Sequence, residues 1–189
     1  MNILMLVFNQ VGKGTYYRAY EFARQLTRFG HRVTLIATSR SKRLAAEKFS
    51  SDGIQIIASP DLLPGALRSG WDLFNALSRQ SIINPKNFDI VHGFETRPVV
   101  LIPALKLKRA GLPLIWDWAD WFGRGGSVEE RPSPLVRAIL RPVETYFEER
   151  FRGHATATTV ICSTLKQRAI ELHVAPQTIY LIPNGLDSP

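Results

Sequence analysis

Short apolar, β-rich runs alternate with amphipathic stretches along the whole chain. This alternation is typical of βαβ units, which place parallel strands in one sheet and helices on its faces. Most of the runs lack polar alternation, as strands covered on both faces do. The pattern predicts an α/β fold with an open parallel sheet, its strands near residues 3–8, 32–37, 54–58, 90–92, 114–116, 158–162 and 179–182.

The first helix is predicted most clearly, because apolar residues at three- and four-residue spacing form one face and Gly30 supplies a left-handed end. The residues of that face are Ala19, Phe22, Ala23, Leu26 and Phe29. A late helix is expected to open at Thr164, with Gln167 completing a capping box.

Two further stretches, 62–83 and 133–152, have helical composition. Ser133 and Pro134 are suited to the N-cap and first position of the second one. Pro142 inside it should kink or split the helix.

Composition limits the class of protein. The 189 residues, 45% of them hydrophobic and 21% charged, are expected to form a single globular domain over 1–189. The lone Cys162 excludes an intramolecular disulfide and any multi-cysteine metal site, and favours a reducing compartment. Because we also find no membrane-crossing run and no signal-peptide pattern, we expect a cytoplasmic protein.

Gly12, Lys13, Gly14 and Thr15 stand between the first strand and the first helix, where a helix N-terminus can meet a phosphate. The segment does not match a P-loop, because Lys13 is followed by glycine. It does not match a dinucleotide fingerprint either, because Tyr17 occupies the third glycine position. The alternative is a tight turn that needs glycine for its backbone alone.

A loop rich in tryptophan and aspartate is expected to follow the fifth predicted strand. Aromatic faces beside carboxylates suit a sugar ring, and the candidate binding residues are Asp117, Trp118, Asp120 and Trp121. The alternative is that the tryptophans pack in the core. His92 is a second candidate, because it is expected at the carboxyl end of its strand, where α/β proteins bind ligands.

Arginines at 124, 131, 137, 141, 150 and 152 accompany apolar side chains in and around the stretch 133–152. Together with a net charge of +8, they point to an anionic partner, with an acidic membrane surface as one hypothesis. The competing interpretation is an ordinary solvated face, since Glu144, Glu148 and Glu149 dilute the charge.

Three segments carry a resemblance to a known family: GTYYRAYEFARQL at 14–26 with GHRVTL at 30–35, FDIVH at 88–92, and VICS at 160–163 continuing to IPNGLD at 182–187. Together they resemble the N-terminal, Rossmann-like domain of GT-B glycosyltransferases of the retaining family 4. The resemblance covers essentially the whole chain.

The resemblance implies an enzyme that transfers a sugar from a nucleotide-sugar to an acceptor, which is a glycan, a lipid-linked sugar or a small molecule. Gly14 resembles the second glycine of the family's Gly-Gly loop, and Lys13 stands where the first glycine usually is. His92 matches a histidine close to the transferred sugar, and Asp117 lies where a loop commonly approaches the acceptor.

The resemblance further implies that the nucleotide-sugar is held mainly by a C-terminal domain outside 1–189, so we expect this acceptor-side domain to be inactive alone. The nucleotide-sugar is a co-substrate, and neither a cofactor nor a metal is expected. The inner face of a membrane is an alternative location.

Two other functions compete. A stand-alone nucleotide-binding domain would use Arg40 on the 2′-phosphate of NADP. A nucleic-acid binder would rest on charge alone, and the sequence lacks the aromatic-interleaved basic pattern that such a protein needs, so no nucleic-acid partner is expected.

Overall fold

The computed structural model describes residues 1–41, 44–64 and 68–185. Within them the strands are β1 (Asn2–Gln10), β2 (Arg32–Thr38), β3 (Glu47–Ser51), β4 (Ile54–Ser59), β5 (Ile90–Phe94), β6 (Leu114–Trp118), β7 (Ala157–Val160) and β8 (Ile179–Leu181). The helices are α1 (Thr15–Arg28), α2 (Leu73–Ile82), α3 (Pro98–Arg109), α4 (Pro134–Arg150) and α5 (Ser163–Glu171).

The strands form a single sheet in the order β3-β4-β2-β1-β5-β6-β7-β8. Every neighbouring pair is parallel except β3 and β4. The predicted open α/β sheet is therefore confirmed, with one antiparallel edge strand added. That strand, EKFSS, is polar and mostly exposed, so it lacks the apolar run by which the others were recognised.

Side chains of β1 alternate between the two faces of the sheet, as the period of a strand requires. Leu4 and Leu6 join the core beneath α2 and α3, while Met5 and Val7 join the core beneath α1. A third, smaller core packs α5 against β7 and β8. Helices thus cover both faces, as predicted.

Helix ends follow the predicted signals in part. Gly30 has a φ of 83° directly after the first helix, and the Ser133 hydroxyl accepts the N–H of Val136, as expected of a C′ glycine and an N-cap. The predicted capping box at Thr164 is wrong, since α5 begins one residue earlier after Cys162 and has no side-chain cap.

Prolines interrupt the helices less than the sequence suggests. The predicted split at Pro142 is absent, because α4 runs unbroken through it, and α3, which the sequence analysis did not identify, contains Pro103. In the described part of the stretch 62–83, helix α2 begins after Asp72, whose carboxylate accepts the N–H of Phe74 at 2.8 Å. Residues 65–67 of that stretch and residues 186–187 of the family segment lie outside the described residues.

Two strands extend beyond their predicted ends. Gly93 and Phe94 pair with Trp116 and Asp117, so β5 continues past His92 and β6 continues to Trp118. Among the described residues, no helix is long and apolar enough to cross a bilayer.

Candidate functional site

Parallel strands bring their carboxyl ends to one edge of the sheet. The chain adds strands on one side of β1, beginning with β2, and later on the other side, beginning with β5, so the strand order reverses at β1. At this edge the loop after β1 meets the loop after β6. The hydroxyl of Thr15 lies 3.5 Å from Oδ2 of Asp120, although the two residues are 105 positions apart. The structure therefore brings two of the predicted binding segments together.

The loop after β1 needs glycine for its backbone. Gly14 has a φ of 53°, and a Cβ built on it would lie 2.9 Å from Nδ2 of Asn9. The Asn9 side chain in turn accepts the N–H of Thr15 at 3.1 Å. A tight turn thus explains Gly14 without a ligand, as the alternative interpretation requires.

The first N–H groups of α1 are already hydrogen-bonded inside the protein. The N–H of Tyr16 donates to the carbonyl of Lys13, that of Tyr17 donates to the carbonyl of Gly14, and that of Thr15 is held by Asn9. An anion at this helix end would meet the exposed Lys13 side chain and the helix dipole rather than a free row of N–H groups.

Arg40 packs on the same loop from the end of β2. Its guanidinium donates to the carbonyls of Val11 and Gly12, the latter at 3.2 Å. A Cβ at Gly12 would lie 2.2 Å from Nη2 of Arg40, so only glycine lets the guanidinium approach this closely. Arg40 therefore supports the loop in this structure.

His92 lies inside β5, two residues before the strand ends. Its ring stacks on Phe94 with centroids 4.4 Å apart and meets Phe22 of α1 edge-on at 5.7 Å. The pKa of His92 is lowered to about 4, mainly by burial; the Asp117 carboxylate acts to raise this pKa and the Arg18 charge acts to lower it. Nε2 of this neutral imidazole is buried without a hydrogen-bond partner.

Asp117 lies within β6 rather than in the loop, and it is fully buried. Arg18 of α1 donates to both of its carboxylate oxygens at 2.9 Å, and Thr159 donates to Oδ2 at 2.6 Å. The same guanidinium reaches the segment after β8, where it donates to the carbonyl of Ile182 and to the side chain of Asn184. Asp117 thus anchors an arginine and presents no free oxygen to a ligand.

Glu95 follows β5 with a φ of 66°, a backbone conformation that residues other than glycine seldom adopt. Its Oε1 accepts the N–H groups of Ala119 and Asp120 at 2.7 and 3.0 Å, and its Oε2 accepts Arg152 at 2.7 Å. Burial raises the pKa of Glu95 to about 7, although Arg152 and the two N–H groups favour the ionised form. Glu95 therefore fixes the start of the loop after β6.

The next part of this loop is fixed by Glu148 of α4. Its Oε1 accepts Nε1 of Trp118 and the N–H of Phe122, and its Oε2 accepts the N–H of Gly123 at 2.6 Å. Trp118 is fully buried, with Arg152 stacked on its ring at 4.2 Å. The core interpretation therefore holds for Trp118, which offers no face to a sugar.

Asp120 is exposed and Trp121 is partly exposed, in contrast to the buried Asp117 and Trp118. The pKa of the Asp120 carboxyl is raised, mainly because surrounding protein reduces its hydration, while Thr15 and Arg97 act in the opposite direction. Trp121 forms one wall of an open groove with a volume of about 510 Å³, and Arg168 covers one face of its ring at 4.2 Å. The other residues of the groove are Ser163, Thr164, Gln167 and Glu171.

Sequence reasoning missed the side chains that hold these loops: Arg18, Glu95, Glu148 and Arg152. They stand on helices or directly after a strand, in a chain rich in surface arginine and glutamate. A buried glutamate after β5 could have been suspected from its strand-end position, but its partners lie 24 to 57 residues away.

A metal site is not formed by the described residues, since residues 1–41, 44–64 and 68–185 hold no group of three His, Cys, Asp or Glu side chains placed to bind an ion.

The sheet order and the loops at its carboxyl edge define the class of protein, an α/β domain of the GT-B glycosyltransferase type. The chain belongs to Glycosyltransferase Family 4, whose sequence pattern it matches over residues 13–188. No curated protein sequence matches the chain.

Solved structures agree on the fold. Sucrose-phosphate synthase from Thermosynechococcus elongatus superimposes with a TM-score of 0.68 at 11% identity, over 99% of this chain and 49% of its own length. The catalytic domain of starch synthase IV from Arabidopsis thaliana gives 0.59 at 12% identity, over 99% of this chain and 52% of its own.

UDP-GlcNAc 2-epimerase from Methanocaldococcus jannaschii is also similar, with a TM-score of 0.56 at 10% identity, over 96% of this chain and 45% of its own. The chain thus spans about half the length of these proteins. At such identities the likeness establishes the shared fold and not a shared substrate.

Proposed function

We propose that this chain is the acceptor-side half of a retaining glycosyltransferase, which moves a sugar from a nucleotide-sugar to an acceptor hydroxyl. Membership of Glycosyltransferase Family 4 supports the reaction class. The observation that carries the acceptor role is the contact between Thr15 and Asp120, because it joins the loop after β1 to a predicted segment in which an exposed carboxylate stands beside a partly exposed indole.

On the acceptor side, Asp120 and Trp121 have the chemistry that a saccharide needs. An exposed carboxylate accepts hydrogen bonds from hydroxyl groups, and an indole face packs on the apolar face of a pyranose ring. The polar side chains Ser163, Thr164 and Gln167 extend that surface along the groove. The acceptor sugar would lie across the loop after β6.

On the donor side, Lys13 supplies a mobile positive charge at the N-terminus of α1. A diphosphate approaching Gly14 would be stabilised by this ammonium and by the helix dipole. The neighbouring structures are about twice as long as the chain, which supports a donor site contributed mainly by residues beyond 1–189.

Transfer breaks the bond between the sugar's anomeric carbon and the diphosphate and forms a bond from that carbon to the acceptor oxygen, and the proton of the acceptor hydroxyl passes to the leaving diphosphate. None of the residues at this edge is proposed as a covalent nucleophile. The rate enhancement would come from positioning and from stabilisation of the leaving diphosphate. His92, neutral at physiological pH and buried below the edge, would act near the reacting sugar only through Phe94 and Phe22, which cover its ring.

The test is a titration of the chain by NMR with a panel of saccharides, nucleotide-sugars and NADP. We expect saccharides to shift the backbone amide signals of 119–126 and the Trp121 indole signal. Asp120→Asn and Trp121→Ala should each weaken this binding about fivefold or more, as expected for loss of one charged hydrogen bond or one ring contact. Glu130→Gln, an exposed carboxylate beside the loop, is the matched control and should change little.

Three results would contradict the proposal. Saccharides that bind without perturbing 119–126 would remove the acceptor role. Normal enzymatic turnover by the isolated chain would show that no second half is required. Tight NADP binding would favour a nucleotide-binding domain, which the packing of Arg40 on its own loop argues against.

A further inference from the structure

Helix α4 exposes a row of large apolar side chains to solvent. Each lies three or four positions from another member of the set along its 17 residues, so the set shares one side of the helix. We refer to this set as the α4 stripe: Leu135 (71% exposed), Val136 (42%), Ile139 (59%), Val143 (38%) and Tyr146 (55%). Scattered exposed leucines are ordinary on a protein surface, but an aligned set of five marks an interaction site.

The acidic residues of α4 do not lie in this stripe. Glu144 and Glu148 are buried on the inner side of the helix, where Arg97 and Arg131 bind Glu144 and the loop after β6 binds Glu148. Glu149 accepts bonds from two arginines of the protein itself. The acidic charge of α4 is therefore neutralised internally and does not dilute its basic side chains, in contrast to the interpretation of a mixed solvated face.

One basic side chain borders the stripe, the exposed Arg150, four positions after Tyr146. Arg141 is half-exposed on the inner side of the helix, in a pair with Glu129 at 2.7 Å. An ion pair this accessible contributes little, so the arginine can exchange its partner for another anion. The chain as a whole carries a net charge of +8.

The start of α2 adds to the apolar surface. Trp71, two positions before this helix, meets Phe147 of α4 edge-on with ring centroids 5.2 Å apart. Leu73 and Leu77, the next apolar residues of α2, are each 61% exposed. The Trp71–Phe147 contact thus places the start of α2, which precedes two exposed leucines, beside the C-terminal half of α4.

We propose that the α4 stripe docks on the surface of an anionic lipid bilayer, with the helix parallel to the membrane plane. Apolar side chains would enter the headgroup–acyl boundary, while Arg150 at the margin reaches a lipid phosphate and Tyr146 lies at the interface it prefers. The combination of aliphatic residues with exposed arginines and without a free carboxylate on the helix gives the charge complementarity for acidic lipids. This inference is independent of the proposed reaction.

The experiment measures binding of the chain to vesicles of phosphatidylcholine alone and of phosphatidylcholine with phosphatidylglycerol, by co-sedimentation. We expect binding to the acidic vesicles, weakened by added salt. The double variant Leu135→Gln/Ile139→Gln should lower the partition coefficient about tenfold, because two aliphatic side chains no longer enter the boundary. Arg150→Gln should lower it up to about fivefold on acidic vesicles only.

Phe29→Ser is the matched control, since Phe29 is 75% exposed and follows α1 on the opposite face of the sheet. It should bind vesicles as the unaltered chain does. Circular dichroism confirms that each variant is folded. Equal vesicle binding by the double variant and the unaltered chain would overturn the proposal. So would light scattering that shows a dimer which the double variant dissociates, in the absence of vesicle binding.

Discussion

Two buried ion pairs flank β6, and they differ in what each arginine holds. Arg18 and Asp117 join α1 to the strand, with side chains 7% and 0% exposed, and the same arginine binds the segment after β8. Arg152 and Glu95 lie on the α4 side at 0% and 1%, and the glutamate binds the loop after β6. One pair fixes the end of the described chain, and the other fixes the loop of the candidate site.

The two pairs therefore have separate roles, since one holds the segment after β8 and the other holds the loop after β6. A buried pair contributes little net energy relative to apolar residues, but removal of one partner leaves an uncompensated charge. Each pair should therefore be measured by what becomes mobile when it is broken, as well as by the free energy of unfolding.

Glu95→Ala should have the largest effect, a loss of about 3–5 kcal/mol in the free energy of unfolding. The substitution leaves Arg152 buried and charged and removes the acceptor of the Ala119 and Asp120 N–H groups. Urea denaturation followed by tryptophan fluorescence measures it. Glu129→Gln, which breaks the half-exposed pair with Arg141, is the control. A loss below about 1 kcal/mol would show that the pair does not hold the loop.

Arg18→Met should cost less, about 2–3 kcal/mol, because Thr159 still donates to the Asp117 carboxylate. Its distinguishing effect should be local. Amide hydrogen exchange should increase at Ile182 and Asn184, whose carbonyl and side-chain oxygens Arg18 binds, while 119–123 stays protected. Loss of protection at 119–123 instead would show that the two ion pairs do not hold separate segments.

The smallest effect is a pH slope. Folding raises the pKa of Glu95 from its ordinary value of 4.5 to about 7, so the free energy of unfolding falls as the pH rises between these two values. Folding lowers the pKa of His92 from its ordinary value of 6.5 to about 4, so the free energy of unfolding rises with pH between these two values. Between these ordinary values the two effects oppose each other. In His92→Phe the unfolding free energy should fall with rising pH by up to about 1.4 kcal/mol per unit.

In Glu95→Gln only His92 remains of these two groups, so the unfolding free energy should show the reverse slope over the same pH range. Denaturation at closely spaced pH values measures both variants. A slope of the same sign in the two would mean that one of these groups does not titrate as its burial implies.

The sequence predicted the sheet because its signal is local. Each parallel strand is a short apolar run, and Gly30 and Ser133 mark helix ends through backbone geometry and one nearby hydrogen bond. The glycine loop after β1 and the candidate residues Asp120 and Trp121 were predicted in the same way. Only a distant contact, that of Thr15 with Asp120, shows that these segments meet.

The rest depends on tertiary burial, which periodicity does not encode. Trp118 and Asp117 look like loop residues until pairing with β7 extends the strand. Glu95 and Arg152 look like ordinary surface charges, because nothing near them in sequence identifies their partners 24 and 57 residues away. Strand β3 was missed because it is polar, although it pairs along all five of its residues.

That short antiparallel strand has a consequence for solubility. Without it, β4 would present the open hydrogen-bonding groups of an apolar segment, IQIIAS, at the sheet margin. Such an uncovered margin is a template for pairing between molecules, and charged residues such as Glu47 and Lys48 make β3 a poor substitute template. Strand β3 therefore protects the folded protein against aggregation.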